Sequence, residues 1–212
     1  MSDLLFKQGQ LILFIGDSLT DAGRRQVEYQ PLGFGYVMIA ASMIEARYPH
    51  LELRFENRGI GGNTVLDLQE RWQEDAIDLQ PDWLSCLIGV NDATRVWRHG
   101  QLYRKLTPEH FRSNYRQLLQ QVRGETPARL ILWEPFLATN DRRAARYKLQ
   151  QEYVRITNEL AEEFDALLIK TQKLFDEACE KRSSEYWAPD AVHPTQPGRA
   201  LMAGALLDAV GW

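Results

Sequence analysis

The sequence predicts a three-layer α/β sandwich in which helices cover both faces of a parallel β-sheet. Three observations predict it. Short apolar runs alternate with longer amphipathic ones along the whole chain. The central short runs are almost continuously apolar, as strands buried on both faces are. The longer runs open on recognisable helix-start signals. The elements read β-α-β-α-β-α-β-α-β-α-α.

The first strand is Leu11–Ile15, and it stops abruptly at Gly16-Asp17-Ser18. Asp21–Gly35 contains Gly23, Pro31, Gly33 and Gly35 and reads as a loop, with Tyr36–Arg47 as the first helix. Leu51–Glu56 is the second strand, and it runs into Asn57-Arg58-Gly59-Ile60-Gly61-Gly62-Asn63. Thr64-Val65-Leu66-Asp67 resembles a capping box, with Asp in place of the usual Glu, and starts a helix reaching about Asp78. The third strand, Trp83–Gly89, leads into Val90-Asn91-Asp92. Thr107-Pro108-Glu109 places a cap and an N1 proline before His110–Val122. Arg129–Glu134 is the fourth strand, and Asp141 is the expected cap of a helix over Arg142–Phe164. Ala166–Lys170 is the fifth strand and Thr171–Glu180 the next helix. Thr195 opens the last helix, through Ala209. Crossovers between parallel strands are right-handed, and ligands bind beyond the carboxyl ends of the strands.

Composition narrows the function. The chain has 212 residues, 44% of them hydrophobic, enough for one domain spanning 1–212 with a sizeable core. A net charge of −4 argues against a nucleic-acid or anionic-membrane partner, since both need a basic face. No secretory signal is visible at the N-terminus, and no run approaches the ~18 apolar residues of a membrane span. Cys86 and Cys179 lie among apolar neighbours without metal-ligand spacing, which fits reduced core thiols in a cytoplasmic protein.

The strand ends carry the chemistry. Ser18 becomes a nucleophile only if a base takes its proton. His50 and His110 read as surface residues, and His99 has no carboxylate at close spacing. His193 differs, because Asp190 precedes it by three positions and one tight turn can set that carboxylate against the ring. Taken alone, Asp190-x-x-His193 reads as an Asp-capped turn entering a helix; the presence of Ser18 changes that. Gly61-Gly62 lets backbone N–H groups approach a developing oxyanion, and Asn91 offers a side-chain donor. Asp17 and Asp92 are expected to hydrogen-bond backbone and hold the loops.

Gly16-Asp17-Ser18-Leu19, Gly62 within Asn57-x-Gly59-x-x-Gly62-Asn63, Gly89-x-Asn91-Asp92 and Asp190-x-x-His193-Pro194 resemble the four signature blocks of the SGNH (GDSL) hydrolases, in the family's order. The resemblance implies a flavodoxin-like fold with a five-stranded parallel sheet and a serine esterase needing no metal or organic cofactor. It implies Ser18 as nucleophile, His193 as base, Asp190 as its orienting acid, and the Ser18 N–H, Gly62 N–H and Asn91 amide as oxyanion donors. The segments FIGDSLTDAGR, NRGIGGNTVLDLQERWQED, PDWLSCLIGVND and WAPDAVHPTQPG are similar to intracellular acetylxylan and xylo-oligosaccharide acetylesterases, which are often homo-oligomers.

That similarity implies an acetylated sugar or oligosaccharide as the small-molecule substrate. Lysophospholipases and acyl thioesterases share the four blocks, and a non-catalytic carbohydrate-binding protein is a third possibility. Trp97 and Trp187 flank the site in sequence and are candidates to stack on a sugar ring, unless they are core or subunit-contact aromatics. Arg24 and Arg25, on the loop over the nucleophile, are placed to meet polar substrate groups or to be solvated.

Overall fold

A computed structural model describes residues 4–212. Its parallel sheet has the order β2-β1-β3-β4-β5, with β1 at Leu11–Gly16, β2 at Arg54–Gly59, β3 at Trp83–Leu87, β4 at Arg129–Trp133 and β5 at Leu167–Ile169. The helices are α1 (Ser18–Asp21), α2 (Tyr36–Arg47), α3 (Val65–Trp72), α4 (Val90–His99), α5 (Pro108–Glu125), α6 (Ala145–Glu163), α7 (Thr171–Lys181), α8 (Ser184–Trp187) and α9 (Gln196–Ala209).

Successive side chains of a strand point to opposite faces, and here both faces are covered. Ile12 and Phe14 of β1 join Trp83, Ile131, Trp133 and Ile169 in the core beneath α2, α7 and α9. Leu13 and Ile15 join Leu84, Cys86, Leu130 and Leu132 beneath α3, α5 and α6. Burying each large apolar side chain contributes about 1.5–3 kcal/mol. This two-sided burial is why β1, β3 and β4 read as nearly unbroken apolar runs. The order 2-1-3-4-5 reverses direction at β1, so the crevice between the ends of β1 and β3 is the topological switch point.

Four expectations shift. The second strand was expected at Leu51–Glu56 but runs over Arg54–Gly59. Leu51 closes a 3-10 turn, and Glu52 turns the chain with φ 48° before the strand begins. β2 is an edge strand with partly exposed polar residues, so its apolar signal is weak. The segment after the third strand, read as a strand end and loop, is instead α4, starting at Val90 and containing Asn91. Asp141 does not cap the long helix, which starts at Ala145; its Oδ1 instead accepts from the Arg143 N–H in the preceding turn. Ser18, read as the abrupt end of the first strand, is the first residue of the single-turn helix α1.

Thr64 and Asp67 form the expected capping box at the start of α3, which passes into a π turn over Gln73–Ile77. Among the described residues no helix is long and apolar enough to cross a membrane.

Candidate active site

Ser18 stands directly beyond the carboxyl end of β1. Asp17 forms the N-cap of α1, its Oδ1 accepting the Leu19 N–H at 3.0 Å. This fixes the turn that lifts Ser18 out of the sheet. As the first residue of α1, Ser18 has an N–H with no carbonyl one turn back to accept it.

From the other end of the chain, the turn before α9 brings His193 to the same place. Ser18 Oγ lies 2.9 Å from His193 Nε2, and His193 Nδ1 lies 2.6 Å from Asp190 Oδ2. The other carboxylate oxygen, Asp190 Oδ1, accepts the backbone N–H groups of Val192 at 3.0 Å and His193 at 2.7 Å. Burial pushes the Asp190 carboxyl up, but the hydrogen bonds from the His193 ring and from the two backbone N–H groups outweigh it and hold it below its ordinary range. An ionised carboxylate only accepts, so Nδ1 carries the ring proton and the Nε2 lone pair faces the serine hydroxyl.

The loop after β2 supplies the facing wall. Gly59 sits so close to α1 that a Cβ there would lie 2.2 Å from the Asp21 nitrogen, a contact only glycine allows. Asn57 ties the two segments together: its amide donates to the Thr20 carbonyl at 2.7 Å and the Leu32 carbonyl at 2.8 Å, while its oxygen accepts the Gly59 N–H. Gly61 donates to Asp21 Oδ2 at 2.9 Å. Gly62 has φ 83°, in the left-handed region that favours glycine, and no acceptor is found for its N–H among the described residues. On α4, the Asn91 amide donates one N–H to the Asn63 carbonyl at 3.0 Å, which leaves its second N–H free to donate.

This order of segments along the chain is that of one family. Residues 14–201 match the model of the GDSL-like lipase/acylhydrolase family. The chain belongs to that family. As a whole, this acylhydrolase is 36% identical to an acetylxylan esterase of Geobacillus stearothermophilus, over 96% of this chain and 95% of that protein. The crystal structure of Axe2, an acetylxylan esterase from the same organism, matches with a TM-score of 0.92 at 33% identity, covering 99% of this chain and 97% of that one. A mutant of the same protein, described as an acetyl-xylooligosaccharide esterase, matches at 34% identity and TM-score 0.92, with the same coverage. LAE5, an α/β hydrolase enzyme from the metagenome of Lake Arreo, matches at 31% identity and TM-score 0.92, covering 99% and 98%.

Behind the reacting groups, the acylhydrolase carries supports that the sequence did not single out. Arg71 of α3 fans its guanidinium onto the ends of β1 and β2 and onto the turn that follows α3. Nε donates to Asn63 Oδ1 at 2.8 Å, one terminal nitrogen donates to the Arg58 carbonyl and Asp75 Oδ2 at 2.7 Å, and the other donates to the Gly16 carbonyl at 3.1 Å. The sequence signal was present but faint: Arg71 and Asp75 stand four apart, the spacing of an ordinary surface pair.

Asp92 Oδ1 accepts the Val65 N–H at 3.0 Å and so pins α3 to α4. Asp17 and Asp92 are both fully buried, and among the described residues each leaves Oδ2 without a partner. Burial raises both carboxyls to about 7, partly offset by the backbone hydrogen bonds they accept. The expectation that these two hold backbone matches their contacts.

The three proposed substrate contacts have different surroundings. Trp97 is 45% exposed on α4, with the Arg146 guanidinium 5.4 Å from its ring centre. Trp187 is half-buried, donates its indole N–H to the Ala178 carbonyl at 2.9 Å and packs against the core, so it acts as an anchor for α8. Arg24 donates Nε to the Gly59 carbonyl at 2.7 Å and so braces the loop after β2. Among the described residues, no three metal-ligating side chains converge on one point.

Proposed function

We propose that this protein is a serine esterase that removes O-acetyl groups from acetylated xylo-oligosaccharides. Ser18 Oγ attacks the acetyl carbonyl carbon as His193 Nε2 takes its proton. The carbonyl oxygen becomes an oxyanion held by the Ser18 N–H, the Gly62 N–H and the Asn91 amide, each donor lowering the barrier by about 3 kcal/mol. Collapse breaks the bond to the sugar oxygen, which leaves with the proton from His193, and an acetyl-serine remains. Water then attacks that ester, His193 takes its proton, and Ser18 departs with the proton returned while acetate leaves. Asp190 holds the imidazole in its tautomer and stabilises the imidazolium.

The observation that carries the reading is the Ser18–His193–Asp190 chain of contacts, with spacings of 2.9 and 2.6 Å, together with a Gly62 N–H for which no acceptor is found among the described residues. The sugar substrate rests on the near full-length similarity to an acetylxylan esterase. A cavity of about 200 Å³ beside Ser18 and His193 also suits a short acyl group. Buried free thiols at Cys86 and Cys179 accord with a reducing compartment, and the reading places the enzyme in the cytoplasm. It also includes a homo-oligomer, for which sedimentation velocity is the test; exposed Trp97 and Leu102 supply apolar surface.

Acetate release from acetylated xylo-oligosaccharides, compared with a 4-nitrophenyl ester series of rising acyl length, tests the substrate. Acetate release with the shortest ester cleaved fastest is expected. A rate that climbs toward long acyl chains overturns the deacetylase reading in favour of a lysophospholipase or thioesterase.

A further inference from the structure

Ser18 and His193 share their cavity with Phe34, Asp21, Pro194 and Arg199. Two of the proposed oxyanion donors, Gly62 and Asn91, are not part of its wall, so on the deacetylase reading this space faces the acyl group and the sugar. It is larger than the three heavy atoms of an acetyl group require. Asp21, the acid in the cavity wall, is already engaged by the Gly61 N–H and by Arg25.

Arg199 is engaged by nothing comparable. Its guanidinium lies 4.4 Å from the centre of the Phe34 ring, which steadies its plane. Among the described residues its side chain makes no hydrogen bond and no ion pair. A guanidinium carries five donors in a rigid fork that fits a carboxylate bidentately, and a half-buried one without a counter-charge gains most when an anion arrives. Burial lowers its basicity. Arg199 is thus a cation left without a hydrogen bond or ion pair among the described residues, in the wall of the site of a chain whose net charge is −4.

We propose that Arg199 binds a carboxylate on the substrate, and that the preferred acetylated oligosaccharides carry a uronic acid close to the acetyl ester. Arg199 is then a specificity-determining residue of the site. The assignment rests on the deacetylase reading above.

The test compares mono-acetylated xylotriose with the same compound bearing a glucuronic acid substituent, by acetate release. At low ionic strength the wild-type kcat/KM is expected to favour the acidic substrate about tenfold, through KM, as a charge-assisted hydrogen bond of ordinary strength allows. That ratio shrinks toward one in about 0.5 M sodium chloride, which screens the pair. It falls to about one in Arg199→Gln, while Arg199→Lys, with charge but no fork, keeps part of it. The salt series needs no variant, so poor folding of either one leaves the proposal testable. A wild-type ratio of one or less, or a ratio that survives in Arg199→Gln, overturns the assignment alone. Acetate from neither oligosaccharide, with 4-nitrophenyl acetate still cleaved, overturns the carbohydrate reading and the assignment with it.

Discussion

Asp190 grips His193 twice: one carboxylate oxygen takes the ring Nδ1 at 2.6 Å and the other takes the backbone N–H of the same residue at 2.7 Å. A single side chain therefore sets both where the imidazole is attached and which way it faces. Replacing Asp190 by Asn keeps an oxygen for the two backbone N–H groups but turns the other atom into a donor, which selects the wrong tautomer. Hydrolysis of 4-nitrophenyl acetate is expected to fall roughly 10³- to 10⁴-fold, with the melting temperature nearly unchanged. A fall in activity matched by a large fall in melting temperature would point to a structural role instead.

Ser18→Ala removes the proposed attacking atom and leaves the surrounding backbone intact. Turnover of 4-nitrophenyl acetate is expected to drop by roughly 10⁴-fold or more, and a fluorophosphonate probe should no longer label the protein. Turnover near that of the wild type in this variant would sink the acyl-enzyme route.

Asn91→Ala takes away the side-chain donor proposed above to act only as charge develops on the carbonyl oxygen. Steady-state kinetics should show kcat lower by about 10²- to 10³-fold with KM little changed. A change confined to KM would make Asn91 a ground-state binding residue.

Arg71→Lys keeps the charge but cannot reproduce a fan that reaches Asn63, Arg58, Gly16 and Asp75 at once. The loop after β2 loosens, so kcat is expected to fall by about 10- to 100-fold while KM for 4-nitrophenyl acetate holds. Arg71 acts through others, and unchanged kcat in this variant would remove it from the positioning set.

Asp17 and Asp92 keep their protons up to about pH 7 in the folded protein, against an ordinary carboxyl value of 3.8. Between those values the unfolded chain has released protons that the native state still holds. Stability contributed at these sites therefore declines as pH rises through that window and levels off above it. Asn in place of Asp92 does not titrate, and its oxygen can still accept the Val65 N–H. Thermal melts should show the Asp92→Asn variant gaining on the wild type by a few degrees between pH 4 and pH 7.5. A difference that does not change with pH would mean that Asp92 is ionised throughout.

The sequence made legible what periodicity and local chemistry carry. β1, β3 and β4 could be placed within a residue or two because both of their faces are buried. β2 was displaced because an edge strand alternating Arg54, Glu56 and Arg58 has no such signature. α4 was missed because Gly89-Val90-Asn91-Asp92 was read for its side chains, and a helix beginning inside that run has no Ser or Thr cap to announce it. Ser18, Asp190 and His193 could be singled out because two of them sit three residues apart and the third ends a strand. Arg71 and Arg199 could not, because their roles depend on what a folded neighbour leaves unpaired. On the helix surfaces where they stand, a linear reading treats an arginine as solvated.

Ser18 and His193 are separated by 175 residues in the chain and by 2.9 Å in the fold. The hydroxyl stands beyond β1 and its partner imidazole on the turn that enters α9, so neither end of the fold holds both groups alone. A backbone cut in a loop between them that lets the two parts separate is expected to abolish ester hydrolysis while removing neither residue.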